Sequence, residues 1–383
     1  MQEIPIVLIG HKDHGKSTLI GRLLLDTKSV KETRVREVQD VDASFGQAFE
    51  LAHLVDSFRE EREREMTMDT TRALLKGKDR NYQLIDVPGH VELISNMLTG
   101  ASAAQAALLM VSLKEGIEEQ TRQHLEIAKL LGIEQVGVVL NKMDCVGYQE
   151  QAFEKTRERI NGFLKEIGYK AEDIHFFPVS AREGDNVVEK SEKMPWYKGQ
   201  TVMEFLEKEI KISEGSKGSL FLVQDTYGDL PIGRVESGSI KIGDELRAFP
   251  SEQKVKIRAI RDSEGDLQEA FSGQNVGLEF EQNLDVFRGT VLASADFNKK
   301  EGSILSGEMF WISPPSGNSL VLECGTAKVE ADLKEPKSVN QWTKTPYSIS
   351  LVKEIAFEPK GRTILGKIVL KDKGKIIAVG NIS

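Results

Sequence analysis

Eight residues near the start of the chain, Gly10 to Ser17 in the stretch GHKDHGKST, satisfy the spacing G-x-x-x-x-G-K-[ST]. Gly10 and Gly15 let the backbone curl until its N–H groups converge on phosphate oxygens. Lys16 is suited to neutralise β and γ phosphates and Ser17 to ligate magnesium, while Asp13, His14 and Thr18 complete the nucleotide-facing loop. A glycine-rich turn can also bind nothing, so the companions matter. Asp86-Val87-Pro88-Gly89 places a carboxylate where it can hold a water on the magnesium, and a glycine N–H that can point at a γ-phosphate and move when that phosphate leaves. Asn141-Lys142-Met143-Asp144 and Ser180-Ala181 follow in the order a base-reading site needs. Guanine offers a ring N–H and an exocyclic amine that one carboxylate, Asp144, accepts together; adenine lacks this pair and would leave Asp144 desolvated and unsatisfied. Sites matched in this way discriminate by about 10⁴ or more. The expected ligands are GTP and GDP with Mg²⁺.

A switch needs one more element. In SFREEREREMTMDTT, Thr67 could reach magnesium and the γ-phosphate if the segment folds over the nucleotide. The charge run from Arg59 to Glu65 also suits a solvated helix face, and its position between the phosphate loop and DVPGH favours the nucleotide-sensing reading. His11 and His14 read as loop-packing residues, because no carboxylate or cysteine accompanies them at ligand spacing.

These loops need a scaffold that brings them together. The runs IPIVLI, NYQLIDV, AALLMVS, QVGVVLN and HFFPVSA read as strands. STLIGRLLLD, the stretch after His90, EQTRQHLEIAKLL and residues 150 to 167 read as helices. Alternating β and α predicts an α/β domain with a mainly parallel sheet covered by helices on both faces. TVMEFLEKEI closes it, with Thr201 and Glu204 spaced for a capping box. After a polar linker, KISEGSKG, short strands recur between turns and predict two small antiparallel β-barrels. The expected division is a nucleotide domain 1–210, a linker 211–218, and barrels at 219–296 and 297–383.

Composition agrees with such an assembly. A chain of 383 residues with 39% hydrophobic content is long enough for several cores. With 51 Lys and Arg against 60 Asp and Glu, its net charge of -9 argues against coating nucleic acid through bulk charge, and no DNA partner is expected. Two distant cysteines, Cys145 and Cys324, make neither a disulfide framework nor a zinc site. IPIVLIG is too short to span a membrane and lacks the features of a signal peptide, so a cytoplasmic protein is expected.

Together GHKDHGKST, EEREREMTMD, DVPGH, NKMD and the Ser-Ala loop, followed by two barrels, resemble the translational GTPases, the group of elongation factor Tu and elongation factor 1-alpha. The stretches EEQTRQHLEIAKLLGI, NKMDCVGYQEQAFEK, GDNVVEKSEKMPWYKG and EGDLQEAFSGQNVGLEF resemble the GTPase subunit of heterodimeric sulfate adenylyltransferase, within the elongation factor 1-alpha lineage. That finer resemblance is the favoured one, and implies a regulatory GTPase subunit of sulfate activation with a catalytic sulfate adenylyltransferase subunit as partner. The HGKST ending and MPWY resemble the elongation factors themselves, which implies the ribosome and aminoacyl-tRNA instead. Either resemblance implies that His90 positions the attacking water, that Ser17 and Thr67 hold magnesium with Asp86 acting through water, and that Lys16 holds the phosphates. Family members carry a small apolar residue where Lys12 stands and glycine where Glu65 stands. The first departure lies on the route of the family's catalytic histidine, so Lys12 is expected either to alter hydrolysis or to point to solvent and pair with a neighbour such as Glu65. The first outcome raises a further possibility, a GTP-binding switch with weak hydrolysis.

Overall fold

A computed structural model of the chain describes residues 3–44, 50–55, 71–87, 104–116, 118–211, 218–228, 230–262, 265–283, 285–297, 300–317, 319–359 and 363–383. The chain divides into two compact units, one comprising Met1–Asn96 with Ala104–Ser213, the other built around Glu214–Ser383.

In the first unit six strands form one sheet: β1 (Glu3–Ile9), β2 (Thr71–Lys76), β3 (Asn81–Asp86), β4 (Ala106–Ser112), β5 (Gln135–Asn141) and β6 (Ile174–Pro178). Their order is β2-β3-β1-β4-β5-β6. All neighbours run parallel except β2, which lies antiparallel to β3 at the edge. A strand covered on both faces has no solvent side, so β4 reads AALLMVS and is buried along its whole length. The chain leaves β1 toward β3 on one side and later toward β4 on the other. Such a reversal opens a crevice beyond the carboxyl ends of the strands, and the Gly10 loop begins there.

The helices are α1 (Lys16–Asp26), α2 (Glu32–Ser44), α3 (Glu119–Leu130), α4 (Glu150–Ile167) and α5 (Val202–Lys208). On α5 the expected capping box is present: the Glu204 backbone N–H donates to Thr201 Oγ1 at 3.1 Å, and the Thr201 N–H donates to Glu204 Oε2 at 3.0 Å. This start aims Val202, Met203, Phe205 and Leu206 into the core beneath the sheet. Two elements were not expected. In α2 only Val38 and Asp42 are buried, too few to write a helical stripe. Strand β2, TRALLK, sits on the edge of the sheet directly after the charged segment. The helix expected after His90 lies outside the described residues.

The second unit holds two closed barrels. The first uses β7 (Leu220–Tyr227), β8 (Leu230–Ser237), β9 (Ser239–Lys241), β10 (Glu245–Phe249), β11 (Gln253–Arg261), β12 (Asp266–Leu267), β13 (Glu269–Phe271), β14 (Asn275–Phe280) and β15 (Val291–Ala293). Its ring runs β10-β15-β7-β8-β14-β11 and closes through β10 on β11; β12 extends it, and β9 pairs with β13 beside it. The second barrel runs β16 (Lys300–Trp311), β19 (Thr343–Phe357), β18 (Ala327–Glu335), β17 (Leu320–Cys324), β20 (Lys367–Asp372) and β21 (Lys375–Ile382). Before β20, Thr363 Oγ1 accepts from the Leu365 N–H and folds Ile364–Gly366 into a 3-10 turn. Closure pairs the strands of each ring on both sides, which removes most exposed sheet edge. Leu220, Leu222, Phe249, Val291 and Ala293 of the first barrel share one buried cluster with Met309, Trp311, Leu322 and Ile368 of the second.

Candidate nucleotide-binding site

The phosphate loop is held by contacts that tolerate only glycine at two points. At Gly10 (φ +142°) an added Cβ would lie 2.4 Å from the Met110 carbonyl oxygen; at Gly15 (φ +90°) it would lie 2.5 Å from Asn141 Nδ2. Between them Lys12–His14 make one 3-10 turn, with Asp13 exposed. Lys16 and Ser17 then open α1, with Thr18 one residue further in, so the positive end of this helix faces the loop.

Lys16 curls back into the loop, its ammonium donating to the Gly10 carbonyl at 2.9 Å and the His11 carbonyl at 3.1 Å. Burial pushes its pKa down, and the carboxylates of Asp86 and Asp13 oppose that shift. The ammonium is therefore preplaced, on exchangeable carbonyls, at the position a phosphate chain would take up. Ser17 Oγ donates to Asp86 Oδ2 at 3.3 Å, which brings together a hydroxyl from the start of α1 and a carboxylate from the end of β3. This all-oxygen pair fits magnesium, a hard cation that keeps several of its waters.

Three further loops meet this one. Asn141, buried at the end of β5, donates from Nδ2 to the His14 carbonyl at 2.9 Å and accepts the Ala181 N–H on Oδ1, also at 2.9 Å. It ties the phosphate loop to the Ser-Ala loop, so its side chain acts here as a brace rather than as a free reader of a base. Lys142 adopts the left-handed conformation (φ +68°) and donates to Glu115 Oε1 at 3.1 Å. Asp144 is exposed; it accepts from Ser180 Oγ at 2.7 Å and from Cys145 Sγ at 3.4 Å. A serine hydroxyl thus aims the carboxylate. Arg22 on α1, which the sequence analysis did not single out, donates to the carbonyls of Ala181, at 3.2 Å, and Arg182, and so fixes the Ser-Ala loop.

Thr67, Gly89 and His90 lie outside the described residues, as does Glu65. Lys12 is exposed. One expectation needs correction: carboxylates do accompany the two histidines. His14 is fully buried, with Nδ1 3.0 Å from the Met110 carbonyl and Nε2 3.4 Å from Glu115 Oε2, and His11 Nε2 lies 3.1 Å from Glu118 Oε2. The carboxylates come from the loop after β4, which parallel pairing of β1 and β4 sets beside the phosphate loop. Burial lowers the pKa of His14 and favours its neutral form.

Four loops converging at the carboxyl ends of a parallel sheet, with a lysine cradle, a serine-carboxylate pair and an aimed aspartate, define a P-loop nucleotide-binding domain. The family profile described as "Elongation factor Tu GTP binding domain" matches residues 2–213, and that described as "Elongation factor Tu domain 2" matches residues 228–281. The chain is 34% identical to elongation factor 1-alpha of Pyrococcus horikoshii, an alignment covering 99% of this chain and 97% of that one. It is 35% identical to elongation factor 1-alpha of Methanosarcina barkeri, covering 98% and 96%. Its fold is also similar to the GTPase-like domain of S. cerevisiae Ski7 bound to GTP, with a TM-score of 0.67, 16% identity and coverage of 100% and 97%. The chain belongs to the translational GTPase family of elongation factor Tu and elongation factor 1-alpha. Among the described residues no helix is long and apolar enough to cross a membrane.

Proposed function

We propose that this protein is a GTP-hydrolysing factor that works in the manner of elongation factor 1-alpha, carrying aminoacyl-tRNA to the ribosome in the cytoplasm. The observation that carries this reading is similarity along almost the whole chain, 34% identity over 99% of it, to proteins of that name. In this reading a GTP-binding domain 1–210 is joined through 211–218 to barrels 219–296 and 297–383. Lys16 and the loop N–H groups hold the β and γ phosphates. Asp144, aimed by Ser180, accepts the two guanine donors, and Asn141 keeps the phosphate and base loops in register. Ser17 and Thr67 would hold Mg²⁺, with Asp86 acting through water; the ion supplies charge neutralisation on the phosphates. His90 orients the attacking water. Such phosphoryl transfer passes through a loose transition state, so positioning and charge matter more than a strong base.

The reading favoured by the sequence alone, the GTPase subunit of sulfate adenylyltransferase acting with a separate catalytic subunit, becomes the second: EEQTRQHLEIAKLLGI and GDNVVEKSEKMPWYKG support it, whereas the relatives at 34% and 35% identity carry the elongation factor name. A third, a switch with weak hydrolysis, is supported by Lys12 and Glu65. One assay separates them: GTP turnover by the full chain alone, with ribosomes plus aminoacyl-tRNA, and with a sulfate adenylyltransferase catalytic subunit plus ATP and sulfate. Stimulation by ribosomes is expected. Stimulation only in the sulfate arm would replace the first reading with the second, and turnover unmoved in both arms would favour the third.

A further inference from the structure

His11, His14 and Glu118 present donor atoms that all lie within 4.8 Å of one another. Glu115 adds a fourth group at the same place, with its Oε2 3.4 Å from His14 Nε2. Four-coordinate zinc, bound at about 2.0–2.2 Å, separates its nitrogen and oxygen ligands by roughly 3.3 Å. The two measured pairs, 3.1 Å for His11 Nε2 to Glu118 Oε2 and 3.4 Å for His14 Nε2 to Glu115 Oε2, already have that spacing.

The state of His14 points the same way. Its side chain is completely buried, and an N–H at Nδ1 can donate to the Met110 carbonyl at 3.0 Å. That bond fixes the tautomer with a lone pair on Nε2, an atom that makes no hydrogen bond among the described residues. A backbone carbonyl orienting one ring nitrogen while the other faces a cluster of donors is the arrangement that prepares a metal-binding histidine. Glu115 keeps its other oxygen on Lys142, so it too is oriented before any ion arrives.

We propose that His11, His14 and Glu118, with Glu115 as fourth ligand, form a site for a divalent transition metal of the zinc class, distinct from the magnesium position at Ser17 and Asp86. Two imidazoles select zinc, cobalt or nickel over magnesium, which prefers oxygen, and two carboxylates balance the charge of the ion. The bound ion would pin the first half of the phosphate loop to the loop after β4. The His11 and His14 carbonyls that receive Lys16 and Asn141 belong to the pinned residues, so the site would stiffen the nucleotide cradle from outside.

The test uses the full chain, stripped with chelator and then saturated with GDP and Mg²⁺ so that the magnesium position is filled. Zn²⁺ is titrated in competition with a chromogenic chelator, and Co²⁺ is followed by its visible absorption. One equivalent bound at about 1 μM or tighter is expected, with the intense d–d bands of four-coordinate Co²⁺. His11→Ala and Glu118→Ala should each weaken binding by roughly 30-fold or more. Glu118 stands outside the phosphate loop, so its variant decides the matter even if His11→Ala perturbs folding. His53→Ala, at a separate histidine beside Asp42 and Glu50, and Cys145→Ser should leave the affinity as it is. Zn²⁺ affinity unchanged by Glu118→Ala, or binding weaker than about 100 μM in the parent, would overturn the proposal.

Discussion

A carboxylate reads a base reliably only when it is held in one orientation, and Asp144 is held by Ser180 Oγ at 2.7 Å. Asn141 is braced at both ends of its amide, so in the proposed reading the two residues that share one sequence motif would divide the work: one positions loops and the other would face the base. Lys12 raises the opposite case, a residue whose type departs from the family without a described contact to explain a role. It is exposed within the 3-10 turn. Exposed lysines contribute little through ion pairing. Lys12→Val is therefore expected to leave the single-turnover GTP hydrolysis rate within about threefold of the parent, a change of less than about 1 kcal/mol in the barrier. A tenfold change in either direction would make Lys12 part of the hydrolytic machinery.

At the scale of elements, local signals that are strong on their own translate directly into structure. The Thr201 and Glu204 pair is one, and Thr201→Ala should destabilise the first unit by about 1 kcal/mol in denaturant titrations, because it removes an acceptor from the start of a short helix. Strands β1 and β3 to β6 were legible as apolar runs because both faces of their sheet are covered. Strand β2 and helix α2 were not, since an edge strand and a helix burying two residues leave no period to read. The small strands β12 and β13 are too short to carry a signal. The candidate site divides in the same way. The phosphate loop, Asp86, Asn141, Asp144 and the Ser-Ala loop were legible because close approach and hydrogen bonding restrict residue type within short stretches. Arg22, Glu115 and Glu118 were not, because their roles arise from strand order: only the β1 to β4 pairing brings the carboxylates to the histidines.

At the scale of the molecule, the two barrels share a buried cluster and form one compact unit. Between them lie ionisable groups that burial makes uncomfortable. Burial pushes the Glu236 carboxyl up to about 7, against the pull of Arg234 and Lys367. Burial likewise lowers the Lys367 ammonium to about 8, against the pull of Glu236. For Glu236 the folded state binds more protons than the unfolded state between 4.5 and about 7, so this group makes stability fall as pH rises through that window. Lys367 acts in the opposite sense from about 8 to 10.5, where stability rises with pH. Glu236→Gln should remove the acidic-side slope, so the difference in melting temperature between variant and parent should grow by a few degrees from pH 5 to pH 7.5. A constant difference would show that Glu236 titrates as an ordinary carboxylate. The central claim, that the four loops of the first unit form a guanine-nucleotide site, is tested most directly by equilibrium titration of the nucleotide-free chain and of Asp144→Asn with GDP, ADP and xanthosine diphosphate. The parent should prefer GDP over ADP by about 10⁴-fold, and Asp144→Asn should lose at least about 100-fold in GDP affinity while gaining for the xanthine nucleotide, whose 2-oxo group accepts where guanine donates. GDP and ADP binding within tenfold of each other, or a Asp144→Asn protein that still prefers GDP as the parent does, would contradict it.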